Sequence, residues 1–289
     1  MAADVLVLGA SGMFGHVAAG VLGRKFEIVA TGRPGDSGSI PFDVLQPDAD
    51  LIALARNLRP DAMILNAVAV TALQAGPAAV APDRERALLV NAVFPHRLAR
   101  IASALGFRVV HISTDAVFPP DCGYVTEDQP VGPQDAYGIS KAAGEIDGTH
   151  CITIRCSIIG PPAARRRSGL WAWVCDQAPG ATIPGYVNQL WSGITTQQLA
   201  ETCAALVEPG RFAHVRAAGA IHHLAPNPVL SKYDLLQDLA RIIRADIRVE
   251  PAEASQPARR LLQSRHRLLD ELTPRWSTWP ETLAAAVNP

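Results

Sequence analysis

Cysteine is scarce in this 289-residue chain, and the five present (Cys122, Cys151, Cys156, Cys175 and Cys203) include no C-x-x-C pair. An odd count without that spacing argues against a disulfide framework and against a structural zinc centre, so no metal is expected. An excess of charge of one sign is also lacking. The 26 Lys and Arg balance 27 Asp and Glu, for a formal net charge of −1. That balance gives no support for a nucleic-acid or anionic-membrane surface. One short basic run, Arg165-Arg166-Arg167, lies in a Pro/Ala/Gly-rich stretch and reads either as a solvated loop or as a loop that meets phosphates. No run of 18 apolar residues is present to span a membrane. The N-terminus enters a strand pattern directly, with no basic region followed by an apolar signal core, so the expected location is cytoplasmic. Internal repeats and low-complexity segments are absent too.

What is there is apolar material in short, regular portions. Hydrophobic residues make up 48% of the chain, enough for a sizeable core in one large or two modest domains. Strand patterns at Val5–Leu8, Glu27–Ala30, Ala62–Leu65, Val109–Ile112 and Cys151–Ile154 alternate with helical spacing over 13–24, 48–58, 84–105 and 137–147. Short apolar strands separated by helices predict an α/β fold, a Rossmann-type doubly wound parallel sheet covered on both faces. After about residue 160 the alternation breaks. Helices are expected at 195–208 and at 231–245, the latter with Ser231 as N-cap. The tail over 250–289, rich in Pro, Arg and Trp, reads as irregular. The expected division is a dinucleotide-binding domain over 1–160, with 191–221 packing back on it, and a substrate-binding region over most of 161–289.

The first strand runs into Gly9-Ala10-Ser11-Gly12-Met13-Phe14-Gly15 and then a helix. Glycines at this spacing permit a tight turn and let backbone N–H groups approach a pyrophosphate at a helix N-terminus. That context, strand before and helix after, gives the motif its force. The second strand ends at Thr31-Gly32-Arg33. Arg33 suits the 2′-phosphate of NADP, where an acidic residue would suit the ribose of NAD. Asp43 and Val44 are expected to flank the adenine, and Asn66 and Ala67 end the third strand where a cofactor lies against the sheet. The expected cofactor is NADPH, with NADH as the alternative.

Strand four ends in Ser113-Thr114-Asp115, and Tyr137-Gly138-Ile139-Ser140-Lys141 follows on a helix. Residues four apart share one helical face. A free phenol has a pKa near ~10, and an adjacent ammonium lowers it, making tyrosine a usable acid or base. Thr114 is placed to hydrogen-bond the reacting oxygen, and Lys141 to hold the nicotinamide ribose.

With these stretches the chain resembles the extended short-chain dehydrogenase/reductases, and within them the dTDP-4-dehydrorhamnose reductase family and its relatives acting on 4-keto-6-deoxy nucleotide sugars. The resemblance lies in GASGMFGH (9–16), NAVAVT (66–71), NAVFPHRLA (91–99), ISTDAVF (112–118), YVTEDQP (124–130) and YGISKAAGE (137–145). It continues in TIRCSIIG (153–160), GYVNQLWSGITTQQLA (185–200) and SKYDLL (231–236). It implies Thr114, Tyr137 and Lys141 as catalytic residues, and a C-terminal region that binds the nucleotide sugar. Asp115, Ala116, Asn188, Trp191 and Lys232 are the further substrate-side expectations. The chain departs from the family at Ala116, where Tyr or Cys is usual, and at Ile158, where many members carry tryptophan. The segment 158–196 is more similar to reductases of UDP-linked amino-deoxy sugars. The family's Arg-Pro-x-x-Ser-x-Leu-Asp run is missing, although Arg259-Arg260 stands near its place.

The expected activity is therefore NAD(P)H-dependent reduction of the C4 ketone of a nucleotide-activated sugar, in a protein whose only expected partner besides substrate is a second copy. Two alternatives use the same residues: a nucleotide-sugar epimerase, and a non-catalytic NADP-binding regulatory subunit. A dehydratase would place Glu at position 116 as acid and base, and Ala116 cannot serve.

Overall fold

Val5 and Val7 face one side of the first strand, Leu6 and Leu8 face the other, and all four are fully buried. A strand apolar on both faces needs cover on both, and each face here belongs to its own core. In the computed structural model, which describes residues 2–33, 35–36, 38–71, 81–164 and 168–287, that strand is β1 (Ala3–Leu8). It is followed by α1 (Met13–Gly23), β2 (Ile28–Gly32), β3 (Ile40–Pro41), α2 (Asp48–Ala55) and β4 (Leu58–Asn66). Then come α3 (Ala81–Leu88), α4 (Phe94–Leu105), β5 (Arg108–Thr114), β6 (Gly123–Val125), α5 (Ala136–Ala143) and β7 (Cys151–Cys156). The second half holds β8 (Ile158–Ile159), α6 (Gly169–Cys175), β9 (Thr182–Tyr186), β10 (Gln189–Trp191), β11 (Ile194–Thr195), α7 (Thr196–Val207) and α8 (Arg211–Ala218). It ends with β12 (Ile221–His223), β13 (Leu230–Ser231), α9 (Lys232–Ile243), β14 (Arg248–Ala252), β15 (Ala258–Leu262), α10 (Leu268–Leu272) and α11 (Trp279–Ala285).

Seven strands form one parallel sheet in the order β12-β7-β5-β4-β1-β2-β3. On one face α1 packs with α7: Val17, Val21 and Leu22 meet Leu199, Ala200 and Cys203. On the other, Leu51 and Leu54 of α2 and Leu98 and Ile101 of α4 close the second core. Each fully buried Leu or Val contributes roughly 1.5–3 kcal/mol, so these two layers hold the sheet rigid. Register brings the working ends together. Leu8 pairs with both Thr31 and Asn66, and Thr114 pairs with Cys156, so the loops after β1, β2, β4, β5 and β7 share one edge.

The chain returns to this sheet late, through α7 and β12. The remainder of the second half builds a third core around Trp171, Trp191, Leu235, Leu239, Trp279 and Leu283. The tail is more regular than its composition suggests. Strand β14 pairs with β9, and β15 runs between β10 and β6. Pairings between segments this distant leave no local period, which is why the strands were not expected. The capping box of Thr278 and Glu281 at α11, by contrast, is a sequence signal that was there to be used.

The helix expected over 84–105 is interrupted. Between α3 and α4, residues 89–93 form a wider π turn that carries Asn91. Thr195 caps α7 and Ser231 caps α9, each with a full capping box. No helix among the described residues is long and apolar enough to cross a membrane, and no group of His, Cys, Asp or Glu among them is arranged to hold a metal ion. The basic run 165–167 lies outside the described residues.

Candidate functional site

The turn after β1 is built for close approach. Gly9 has φ of +85°, a left-handed conformation that side chains other than glycine's rarely adopt. A Cβ on Gly15 would sit inside the Gly9 backbone, so α1 starts directly against the turn. A concave surface runs over this turn, lined by Gly9, Ser11, Gly12, Arg33, Asp43, Val44 and Ala67. These are the residue types a dinucleotide needs: backbone N–H groups for phosphates, an arginine and a carboxylate at the far end, and small apolar residues against the sheet. The site therefore fits such a cofactor. Sequence reasoning missed Thr31, Phe42, Val68, Val70 and Arg86, which also line this end. Arg86 sits on α3, and nothing in its local sequence marks it as a neighbour of Arg33.

A second cavity, about 250 Å³, continues from the first. Gly12, Met13 and Phe14 form its cofactor side, and Thr114, Asp115, Tyr137 and Lys141 stand on the opposite wall with Cys156, Ser157 and Ile158. Asp135 caps α5 by accepting from the Gly138 N–H at 2.7 Å. A Cβ on Gly138 would strike the Ala116 carbonyl, so α5 lies directly on the 115–117 turn and Tyr137 is brought beside Thr114. Ser140 donates to the Tyr137 carbonyl at 2.8 Å and accepts from Asn91 Nδ2 at 3.0 Å. Asn91 also bonds both backbone groups of Val70 at 2.8 Å, which ties α5 to the loop after β4.

Burial pushes the Tyr137 phenol above its ordinary pKa; the Thr114 hydroxyl draws it back down in part, and the Asp115 carboxylate raises it further. The phenol is thus held protonated. Lys141 is buried and its pKa falls to about 8, chiefly through desolvation, against the opposing pull of Glu145 and Cys156. Its Nζ donates to the Ile112 carbonyl at 2.8 Å and lies 3.4 Å from His111 Nε2. Burial, rather than the expected ammonium of Lys141, is the leading influence on Tyr137.

Thr114 donates to Asp115 Oδ1 at 3.1 Å and accepts from the Ala116 N–H at 3.2 Å. Burial raises the Asp115 pKa, opposed first by Arg260 and then by the Thr114 bond and Lys232. Lys232, pushed down by burial and up by Asp115, acts on this carboxylate by its charge from α9, and Arg260 does so from β15. Arg260 Nε is buried with no hydrogen-bond partner among the described residues. Its neighbour Arg259 instead pairs with Asp121 at the surface. Behind the cavity lies a buried ion pair. Glu145 Oε1 accepts from Ser113 Oγ at 2.7 Å and from Arg155 Nε at 2.8 Å, and Oε2 accepts from Arg155 Nη2 at 2.7 Å.

Five expected site residues sit elsewhere. Gly15 is packed under the turn. Asn66 turns its amide to His111 and to the Val68 N–H rather than to the cofactor surface. Asn188 spends its amide on both backbone groups of Ala254, anchoring the tail. Trp191 is a core residue packed on Trp279, and its Nε1 donates to Ser157 Oγ at 3.0 Å. It reaches the cavity only through Ser157. Ala116 is buried and presents its carbonyl to Gly138 rather than lining the cavity.

A parallel sheet with a glycine turn at one strand end, and Thr114, Tyr137 and Lys141 around the adjoining cavity, defines a nucleotide-binding α/β protein of the short-chain dehydrogenase/reductase kind. Comparison narrows this. The chain belongs to the family described as the RmlD substrate binding domain, whose profile matches residues 3–287. It is similar to the dTDP-4-dehydrorhamnose reductase of Mycobacterium tuberculosis, with 28% identity over 92% of this chain and 93% of the relative. It is also similar to a probable dTDP-4,6-dihydroxy-2-methyloxan-3-one 4-ketoreductase of Streptomyces antibioticus, with 29% identity over 83% of this chain and 77% of the relative. Among solved structures, the dTDP-4-dehydrorhamnose reductase of Bacillus anthracis in complex with NADP shares the fold, with a TM-score of 0.72, 21% identity, and 99% of each chain covered.

Proposed function

We propose that this protein uses NADPH, with NADH as the alternative, to reduce the C4 ketone of a nucleotide-activated 4-keto-6-deoxy sugar. The observation that carries the reading is the convergence of Thr114, a protonated Tyr137 and Lys141 on one cavity continuous with the glycine turn. The relatives' names, which describe reductases of dTDP-linked keto sugars, support the same class of substrate.

A dinucleotide held by these residues would supply hydride chemistry at the carbonyl carbon. Tyr137 gives its phenolic proton to the carbonyl oxygen as charge develops there, and the Thr114 hydroxyl stabilises that oxygen. Lys141 holds the ribose and sets the electrostatic field at Tyr137. Gly9, Ser11, Gly12, Met13 and Phe14 position the cofactor against the sugar, so that hydride and carbonyl meet in reactive geometry. Arg33, Asp43 and Val44 would hold the adenosine end of such a cofactor, with Ala67 on the sheet side. The sugar lies between Asp115 and Ile158, and the region over 161–289, apart from α7 to β12, contributes the nucleotide subsite through Lys232 and Arg260.

The test is NAD(P)H oxidation with a panel of dTDP- and UDP-linked 4-keto-6-deoxy sugars, for wild type beside Tyr137→Phe. Turnover with one sugar is expected, reduced by roughly 10²–10⁴-fold in the variant. Cofactor binding without turnover of any panel sugar would refute the reductase reading and favour an epimerase or a binding protein.

A further inference from the structure

His111 lies on β5, an interior strand of the sheet, fully buried, and the reaction proposed above gives it no task. Its two ring nitrogens have different neighbours. Nδ1 lies 3.0 Å from Asn66 Nδ2, and Nε2 lies 3.4 Å from Lys141 Nζ. The orientation of the Asn66 amide is fixed independently, because its Oδ1 accepts the Val68 N–H at 3.2 Å. Asn66 therefore offers N–H to His111, and Nδ1 must accept. A neutral imidazole has one donor and one acceptor, so the proton sits on Nε2, facing Lys141.

We propose that His111, locked by Asn66 in the Nε2–H tautomer, is a positioning residue that presents an N–H to the Lys141 amine and thereby favours its neutral form. A neutral amine can accept from His111 while still donating to the Ile112 carbonyl, so every contact in the cluster is satisfied. An ammonium at the same place would leave two donors facing each other. The groups around this amine are His111 from β5, Glu145 from the turn just after α5 and Cys156 from β7, with His96 of α4 acting on His111. Glu145 and Cys156 favour the charged form; burial and the His111 N–H oppose it. His111 itself is kept neutral, foremost by burial, which is the state the arrangement requires. The balance places the change of Lys141 charge near the working pH rather than far above it, so a small contact such as the cofactor ribose can decide its state. The inference rests on the proposed role of Lys141, but its first test does not depend on turnover.

Long-range proton–nitrogen NMR of protein labelled with ¹⁵N-histidine, recorded from pH 6 to 9, reports the tautomer directly. The signal is assigned by its loss in His111→Gln. His111 is expected in the Nε2–H form throughout, without titrating. An Nδ1–H form, or an imidazolium at pH 6, would overturn the proposal whatever the enzyme's substrate. Asn66→Asp keeps the shape and the Val68 contact but replaces the donor to Nδ1 with an acceptor. It should move the proton to Nδ1 and shift the alkaline limb of NADPH binding, read by cofactor fluorescence, upward by about one pH unit, a tenfold change in affinity above that limb. A limb that stays in place while the tautomer reverses would refute the coupling to Lys141. A missing ketoreductase activity with the expected tautomer and limb would instead count against the reaction alone.

Discussion

Replacing Glu145 with glutamine removes one charge and moves almost no atoms. The Glu145 and Arg155 side chains are 7% and 4% exposed, and the carboxylate takes three hydrogen bonds, two from Arg155 and one from Ser113. Glutamine must turn its amide N–H₂ toward one of these donors, which leaves the guanidinium buried with half its partner gone. Breaking such a pair from one side costs about 3–5 kcal/mol, mostly as the desolvation of the charge left behind. Among the described residues, Arg155 has further compensation from the Phe118 ring 5.1 Å away and from His223 Nε2 at 3.3 Å. A loss near 3 kcal/mol is therefore expected in urea unfolding, with the slope against denaturant unchanged. Replacing both partners, Glu145→Leu with Arg155→Met, should restore most of that loss, since a buried pair exchanged for apolar volume is often neutral. Activity should not recover. Glu145 is the foremost group holding the Lys141 charge against burial, and without it the Lys141 pKa moves below about 8 in both variants. The alkaline limb of kcat/KM then moves toward neutrality. A single-variant loss under about 1 kcal/mol, or an unmoved limb, would refute the reasoning.

Lys141→Met should stabilise the protein by about 3 kcal/mol at pH 7 while abolishing reduction, because the native Lys141 pKa of about 8 lies well below the unfolded value. The sign sets the window: the penalty is complete below pH 8 and fades as the pH rises from 8 toward 10.5, so the urea midpoints of the two proteins should converge there, and a constant gap would refute it. Gly138→Ala drives a methyl group into the Ala116 carbonyl and to 2.9 Å from Pro133 Cβ, and overpacking of this kind costs about 1–3 kcal/mol. Because the strain falls between Tyr137 and Thr114, kcat should fall more than NADPH affinity, measured by stopped-flow and fluorescence titration; a loss confined to affinity would count against the arrangement. Arg33→Ser should weaken binding of NADPH about tenfold more than that of NADH, the effect of one charge-assisted contact, as read by calorimetry; equal losses would remove Arg33 from 2′-phosphate recognition.

The sheet and its working edge were legible because both are periodic or local. Val5–Leu8 announced a strand buried on two faces, the glycines after it announced the turn, and Thr114, Tyr137 and Lys141 could be placed from spacing alone. The support behind them was not legible. Asn91, His111, Glu145 and Arg155 act through partners that the fold brings together from distant segments, and a buried polar residue carries no period of its own. Asn66 illustrates the error this produces. Its place at a strand end pointed to the cofactor, whereas the free hydrogen-bonding capacity of His111 on the next strand claims its amide. Asn188 and Trp191 went astray similarly, each recruited by chain that arrives late, Ala254 and Trp279. In the tail, short strands that add to sheets begun far earlier gave no signal beyond the caps of their helices.

The hydroxyl of Thr114 is already engaged in the resting protein, since its one O–H is directed at Asp115 Oδ1, 3.1 Å away. An arriving carbonyl therefore competes for that proton rather than receiving an unclaimed donor, and a neutral ketone is a poorer rival than a carboxylate. The contest turns only as negative charge gathers on the oxygen. Thr114 thus gives little to the bound substrate and much to the species at the top of the barrier, which is the discrimination that raises turnover instead of merely tightening the ground-state complex.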